Sequence, residues 1–360
     1  MGSVILYISS FLYSAGIAFI YQQKYRLLQK QSLLQKILWS LLIMLVPIIV
    51  SSCRYGIGTD YENYITLFSN FHRSSLTTFS EDNLSLEYIN KILSDIGFFL
   101  TGNTNGVFFI YAILTLLLFE FSLINFKDYV SLPISTFVLL LLMFSMSLNI
   151  VRQALAISIV FSSLPFIAKK KPIPYFISCL VATAVHSSAF ISIIFYFLYE
   201  HNNRYKLIFY KLVKFAIILL PLLLSIILPL LQGFVLFKHF FENYEQEGTS
   251  IIESYAIKLP IIIMLCLNYK VLRNLKLANF LFWLFALELI LLFVASKYMW
   301  AFRLSYYTFI GQILLVGMVT YRKSKNSFVY KFLSTTYYIL YFYILFYVWG
   351  RDSIFPYSHL

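Results

Sequence analysis

The chain has 360 residues, 60% of them hydrophobic and only 12% charged, with a mean hydropathy of +0.79. A water-soluble globule of this size cannot hide so much apolar surface, so part of it must face lipid. The formal net charge of +13 does not signal nucleic acid, because the Lys and Arg residues fall in short segments between apolar runs and form no continuous basic face.

Apolar runs of roughly 17 to 25 residues recur along the chain, each long enough to cross a hydrocarbon core of about 30 Å as a helix. In chain order the predicted spans are Val4 to Tyr21, Leu33 to Val50, Val107 to Ile124, Leu132 to Leu148 and Ile150 to Ala168. A longer apolar stretch, Ile173 to Tyr199, follows, and then Phe215 to Leu231, Tyr255 to Asn268, Ala278 to Ala295, Trp300 to Thr320 and Phe328 to Trp349. The first run lacks a basic leader and a small-residue cleavage pattern, so it reads as a span and not as a removed signal peptide.

Loop charge sets the expected topology. Lys24, Arg26, Lys30 and Lys36 place the first loop in the cytoplasm, which leaves the segment after Val50 outside. Lys169, Lys170 and Lys171 then fall inside, but a single crossing from Ile173 to Tyr199 would push Arg204, Lys206, Lys211 and Lys214 outside. A hairpin of two half-helices breaking near His186 removes the conflict and brings roughly 19 of the 28 basic residues inside. It also puts the acidic segment of Glu242, Glu245, Glu247 and Glu253 outside and lifts His186 toward the outer half of the membrane. Because broken helices at membrane depth need a protein cavity or water for their freed backbone groups, the break predicts a site.

The expected fold is therefore all-α, a polytopic transmembrane bundle of roughly 10–12 segments forming one integral membrane domain over residues 1–360. It carries an external loop with a short amphipathic helix at about 51–104, the hairpin at about 172–200 and a second external loop at about 232–254.

The segment Cys53-Arg-Tyr-Gly-Ile-Gly-Thr-Asp-Tyr-Glu-Asn-Tyr64 concentrates unusual chemistry in the first external loop. Gly56 and Gly58 permit tight turns, Arg54 can grip phosphate oxygens bidentately, and Asp60 can accept a proton or bind hydroxyls. Tyr55, Tyr61 and Tyr64 offer flat faces to sugar rings; an aromatic interfacial belt is the ordinary alternative. Arg152, followed by Gln153, opens an otherwise apolar span, where a charge is costly unless paired, hydrated or snorkelled to the interface. His186 sits between two apolar half-helices, where it can bind phosphate, orient a hydroxyl, shuttle a proton or simply pack. Arg303, with Lys297 just before it, starts another span from the outer side.

Three arginines and a histidine thus meet at one membrane level, which suits an anionic head group, above all a pyrophosphate. Glu87 belongs to a short amphipathic helix expected along the membrane surface, as a site residue or as a solvated face charge. Glu288 lies inside a span, where a carboxylate faces a cavity or a partner or is protonated. Cys53, Cys179 and Cys266 are scattered and indicate neither a disulfide framework nor a zinc site. Walker, zincin, nucleophile-elbow and dinucleotide fingerprints are missing, which disfavours nucleotide hydrolysis, metalloprotease and dinucleotide chemistry; no metal or cofactor is expected.

At these residues the chain resembles the EpsG family, a branch of the Wzy-type polysaccharide polymerases of capsule, exopolysaccharide and O-antigen pathways. The likeness covers most of the chain. Its specific marks are Arg54-Tyr-Gly-Ile-Gly-Thr-Asp-Tyr61 with Tyr64, then Glu87 and Tyr88, then Arg152 with Gln153 and Ala154, and His186-Ser-Ser-Ala189. The resemblance implies a fold like the lipid-dependent membrane glycosyltransferases of GT-C type. It implies an undecaprenyl-pyrophosphate-linked oligosaccharide as substrate and transfer of the growing glycan onto a new lipid-linked repeat at the outer face of the bacterial cytoplasmic membrane. Arg54, Arg152 and His186 then match positions around the pyrophosphate, Arg303 matches less closely, and Asp60, Glu87 and His186 are the candidates for deprotonation. Membrane lipids, a flippase and a chain-length regulator are the implied partners, and nucleic acid is not. Two alternatives remain at this level: an O-antigen-ligase-like transferase, and a flippase or transporter without chemistry, although no pair of internal repeats is visible.

Overall fold

In lipid a backbone N–H or C=O finds no water, so each long apolar run satisfies its polar groups within its own segment and forms a helix. The computed structural model describes residues 2–26, 31–74, 88–199, 207–230, 251–321 and 327–359, and among these there is no strand. Among the described residues eight helices are long and apolar enough to cross a membrane. They are Gly2–Tyr25, Leu33–Ser52, Thr104–Asn125, Leu132–Asn149, Val151–Ala168, Ser254–Leu272, Lys276–Ala295 and Met299–Tyr321. Two further apolar helices, Leu207–Leu230 and Ser327–Phe342, run beside them. The protein is a multi-pass helical bundle.

Local chemistry sets the helix ends. Ser32 and Gln35 form a capping box, with Gln35 N donating to Ser32 Oγ at 3.1 Å and Ser32 N to Gln35 Oε1 at 3.0 Å. Asn103 caps Thr104–Asn125 through Asn105 N at 2.9 Å, and a proline opens both Leu132–Asn149 and Pro172–Val185. Leu132–Asn149 is buried along almost its whole length and is the axis of the bundle, packed by the first helix, Val151–Ala168, Phe309–Tyr321 and Ser327–Phe342.

The apolar stretch after Lys171 does not cross as one helix. Pro172–Val185 spans only about 21 Å at 1.5 Å per residue, and the chain turns at His186 and returns as Ser187–Leu198. The halves are antiparallel: Tyr175 OH donates to Ser192 O at 2.5 Å, and Phe176 packs on Tyr196 and Phe197. Asn90 Nδ2 donates to Val185 O at 2.9 Å, so the carbonyl freed by the break is satisfied from a neighbouring helix.

Of the described basic residues, Lys36, Lys127, Lys169, Lys170, Lys171, Lys270, Arg273 and Lys276 lie near one set of helix ends. Lys36 Nζ donates to Asn125 Oδ1 there at 2.6 Å. The loop after Ser52, the Asn149–Val151 junction, His186 and Met299 lie at the other set. Glu87 and Glu242, Glu245 and Glu247 fall outside the described residues, as does the side chain of Glu253.

Two short helices complete the second end. Tyr61–Arg73 turns Tyr61, Tyr64, Phe68 and Phe71 inward, where a loop was expected for its first turn. Tyr88–Thr101 is amphipathic in an inverted sense: Asn90, Lys91 and Ser94 are buried against protein while Ile92, Phe99 and Leu100 are exposed. Its apolar face is the one left for lipid.

Glu288 has a cationic partner inside the bundle. Lys258 Nζ bonds Glu288 Oε1 at 2.6 Å and Gln312 Oε1 at 3.0 Å and lies 4.3 Å from the Phe309 ring centre. Both charges are buried, so removing one leaves the other uncompensated in an apolar surround. Lys258→Met alone is expected to destabilise by about 3–5 kcal/mol, whereas Lys258→Met with Glu288→Leu recovers most of that loss. Thermal unfolding in detergent checks this, and equal losses in the two variants would contradict it.

Candidate functional site

The loop after Leu33–Ser52 is organised by Arg54. Its guanidinium donates to Ser51 O at 3.1 Å, Ser51 Oγ at 3.2 Å and Leu148 O at 3.2 Å, and it lies 4.7 Å above the Phe108 ring centre. Helix C-termini leave carbonyls without intrahelical partners, and one planar cation here serves two such ends. Arg54 is 2% exposed; burial pulls its pKa down to about 10, which still leaves it cationic at neutral pH. It therefore ties the ends of Leu33–Ser52 and Leu132–Asn149 together.

Gly58 follows with φ +104°. A Cβ there would stand 2.8 Å from Asn149 Oδ1 and 3.2 Å from Leu148 O, so both conformation and space call for glycine. Thr59 Oγ1 donates to the same Asn149 Oδ1 at 3.1 Å. The segment after the last long helix clasps this loop: Tyr55 N donates to Ser358 O at 3.1 Å, Gly58 N to Ser353 O at 3.3 Å and Asn149 Nδ2 to Asp352 O at 2.9 Å.

Above the clasped loop lies a cavity of about 190 Å³ lined by Asp60, Asn63, Tyr64, Leu67, Ile150, Arg152, Gln153, His186 and Arg303. Four separate elements supply these groups: the start of Tyr61–Arg73, the start of Val151–Ala168, the apex of the hairpin and Met299–Ser305. Gln153 Nε2 donates to Arg303 O at 2.9 Å and so ties two of them. Tyr64 is hydrogen-bonded to Arg152; burial pushes its phenol pKa up against the pull of that cation, so the hydroxyl stays protonated. Among the described residues the walls hold two guanidinium groups and one carboxylate, a net positive balance suited to an anion. Among the described residues no three His, Cys, Asp or Glu side chains gather to hold a metal.

His186 is the N-cap of the returning half of the hairpin, accepting the Ser188 N–H at Nδ1 over 3.4 Å. The same nitrogen is 2.7 Å from Ser188 Oγ, which is 2.9 Å from the hydroxyl of buried Tyr307. With Nδ1 accepting the Ser188 N–H, the proton of the neutral ring falls on Nε2. The ring is thus set up as a hydrogen-bond donor toward a ligand.

Of the residues singled out from the sequence, the cavity gathers Asp60, Tyr64, Arg152, Gln153, His186 and Arg303. It does not gather Arg54, Tyr55, Gly58 or Tyr61: Tyr55 is 57% exposed, and Tyr61 stacks on Phe108 at 5.2 Å. Glu87 lies outside the described residues. The cavity joins motifs from residue 60 to residue 303, and the EpsG family model matches residues 5–359, nearly the whole chain. The chain belongs to the EpsG family. No curated protein and no solved structure matches it. EpsG membership points, in general terms, to a polysaccharide polymerase.

Asn149, Tyr307 and Asn90, which position the site without carrying charge, are not singled out by the sequence, and Ser188 stands there only as part of the His186-Ser-Ser-Ala189 mark. Asn149 and Ser188 stand within three residues of Arg152 and His186, so the polar neighbours of those two were the available signal. Tyr307 and Asn90 gave none.

Gly58→Ala is expected to cost about 1–3 kcal/mol from the left-handed backbone alone, with the Asn149 contact added. Gly56→Ala, at φ +62° with nothing within 4 Å, is expected to cost less. Thermal unfolding of both variants checks the order, and the reverse order would contradict the account of this turn.

Proposed function

We propose that the chain extends a polysaccharide by transferring the growing glycan from undecaprenyl pyrophosphate onto a lipid-linked repeat at the outer face of the bacterial cytoplasmic membrane. The observation that carries this reading is the cavity in which Arg152, His186 and Arg303 converge from three separate elements. It opens at the helix ends opposite the basic ones, and the positive-inside bias assigns the basic ends to the cytoplasm.

In this reading the acceptor hydroxyl oxygen attacks the anomeric carbon while the bond from that carbon to the phosphate oxygen breaks. Negative charge grows on the leaving diphosphate, where the guanidinium groups of Arg152 and Arg303 and the Nε2–H of His186 meet it. These cations supply the charge stabilisation within the chain, and we propose a transfer that needs no metal ion. The hydroxyl proton passes to Asp60, the one carboxylate that lines the cavity among the described residues. His186, with Nδ1 accepting from Ser188, has no lone pair to offer at Nε2 and acts as donor.

Cells separate this reading from a flippase. An Arg152→Ala strain is expected to accumulate single lipid-linked repeats exposed outside, with polymer reduced by at least about 10²-fold, the size of effect seen when transition-state charge stabilisation is lost. Long chains persisting in that strain, or repeats trapped inside, would contradict it.

The role of His186 has its own test. Gln carries an N–H where imidazole has Nε2, so His186→Gln is expected to retain clearly more polymerisation than His186→Ala. Asp60→Asn is expected to lose about 10²–10⁴-fold in rate. Equal loss in the two His186 variants with an active Asp60→Asn would reverse the two roles.

A further inference from the structure

A second cavity, of about 150 Å³, lies on the other side of Met299–Ser305 at the same end of the bundle. The short helix is the shared wall: Arg303 lines the first cavity, and Phe302 and nearby Tyr306 line the second. The end of Leu132–Asn149 and the start of the next helix divide likewise, with Ser145 and Met146 on one side and Ile150 and Arg152 on the other.

The polar groups of this cavity are held in place. Asp352 has φ +66° and Ser353 φ +47°, a left-handed turn that non-glycine residues keep only where surrounding contacts over-determine it. Those contacts are present: Ser145 Oγ donates to Asp352 Oδ2 at 2.7 Å, Asn149 Nδ2 to Asp352 O at 2.9 Å and Gly58 N to Ser353 O at 3.3 Å. Arg351 lies 4.5 Å over the Phe302 ring centre and is hydrogen-bonded to Tyr306. Tyr341 and Trp349 supply further aromatic walls, and Trp349 is 53% exposed.

Among the described residues the charges are balanced. Arg351 stands beside Asp352, and the positive charge of Lys258 is answered by Glu288. A diphosphate would meet the Asp352 carboxylate, so this wall does not repeat the first cavity's chemistry. Aromatic faces with one fixed carboxylate and one fixed guanidinium suit a neutral, hydroxyl-rich ring: the faces take its C–H side and the charged groups its hydroxyls. An aromatic belt at the membrane interface is the plainer origin of such residues. It does not account for a left-handed Asp–Ser turn fastened to Ser145, Asn149 and Gly58.

We infer that this cavity is a glycan subsite, holding a pyranose of the growing chain one or more sugars away from the reacting carbon. The inference rests on the polymerase reading. Because the Met299–Ser305 helix separates the cavities, the subsite does not take part in the displacement; it keeps the chain from leaving between additions. Loss of the grip therefore shortens chains while addition continues.

The test compares polymer length in the source strain for Trp349→Ala, Asp352→Asn and Arg152→Ala, each at membrane levels matched to wild type by immunoblot. Trp349→Ala and Asp352→Asn are expected to lower the modal chain length at least about twofold, as faster release of a bound chain does. Wild-type lengths in both, with no polymer from Arg152→Ala, would overturn the subsite and leave the polymerase reading standing. Complete loss of polymer in both would also overturn it, since the cavity would then belong to the transfer step. Long chains from Arg152→Ala would sink the polymerase reading itself.

Discussion

The carbonyl ends of Leu33–Ser52 and Leu132–Asn149 point into a region buried within the protein, and the Arg54 guanidinium answers both. An unbonded buried carbonyl costs about 1–3 kcal/mol, and a cation left there without partners costs more. Each side of the contact thus requires the other. Once Leu148 is held, Asn149 can fasten Thr59 and Asp352, and the start of Val151–Ala168 is fixed with Arg152 aimed at the cavity. The candidate site is supported from below by a residue whose type suggested a place inside it.

That case shows where sequence is informative and where it is not. The spans were legible because lipid imposes a length and excludes charge, and few other constraints write so plainly into a chain. The turn at His186 was legible from the misplaced charge of the following loop. The inward stripe of Tyr61, Tyr64, Phe68 and Phe71 was also visible, yet the glycines and Asp60 before it favoured reading a loop. Arg54 could not be resolved from sequence: a guanidinium suits phosphate oxygens and carbonyl ends alike, and its deciding partner lies 94 residues away. The pairing of Lys258 with Glu288, and the return of residues 350–359 to the loop after Ser52, are likewise products of tertiary structure.

The hairpin gives a physical reason for a broken helix in this protein. A continuous helix would carry His186 through lipid with its backbone bonded internally. The break instead frees Val185 O for Asn90 and makes the imidazole the cap of the second half. The Nδ1 contact that caps the helix also favours the tautomer protonated at Nε2, so local folding and the state of the ring are coupled. Arg152 and Arg303, joined through Gln153, face the same space from rigid helices, an arrangement prepared for negative charge before any ligand arrives.

The central claim is that this prepared positive space binds a diphosphate. Isothermal calorimetry of inorganic pyrophosphate with the purified protein in detergent tests it most directly. The account predicts saturable binding that weakens at least about tenfold in Arg152→Ala and in Arg303→Ala, the loss of one charge-assisted contact each. Equal binding by wild type and both variants, or none by wild type, would contradict it.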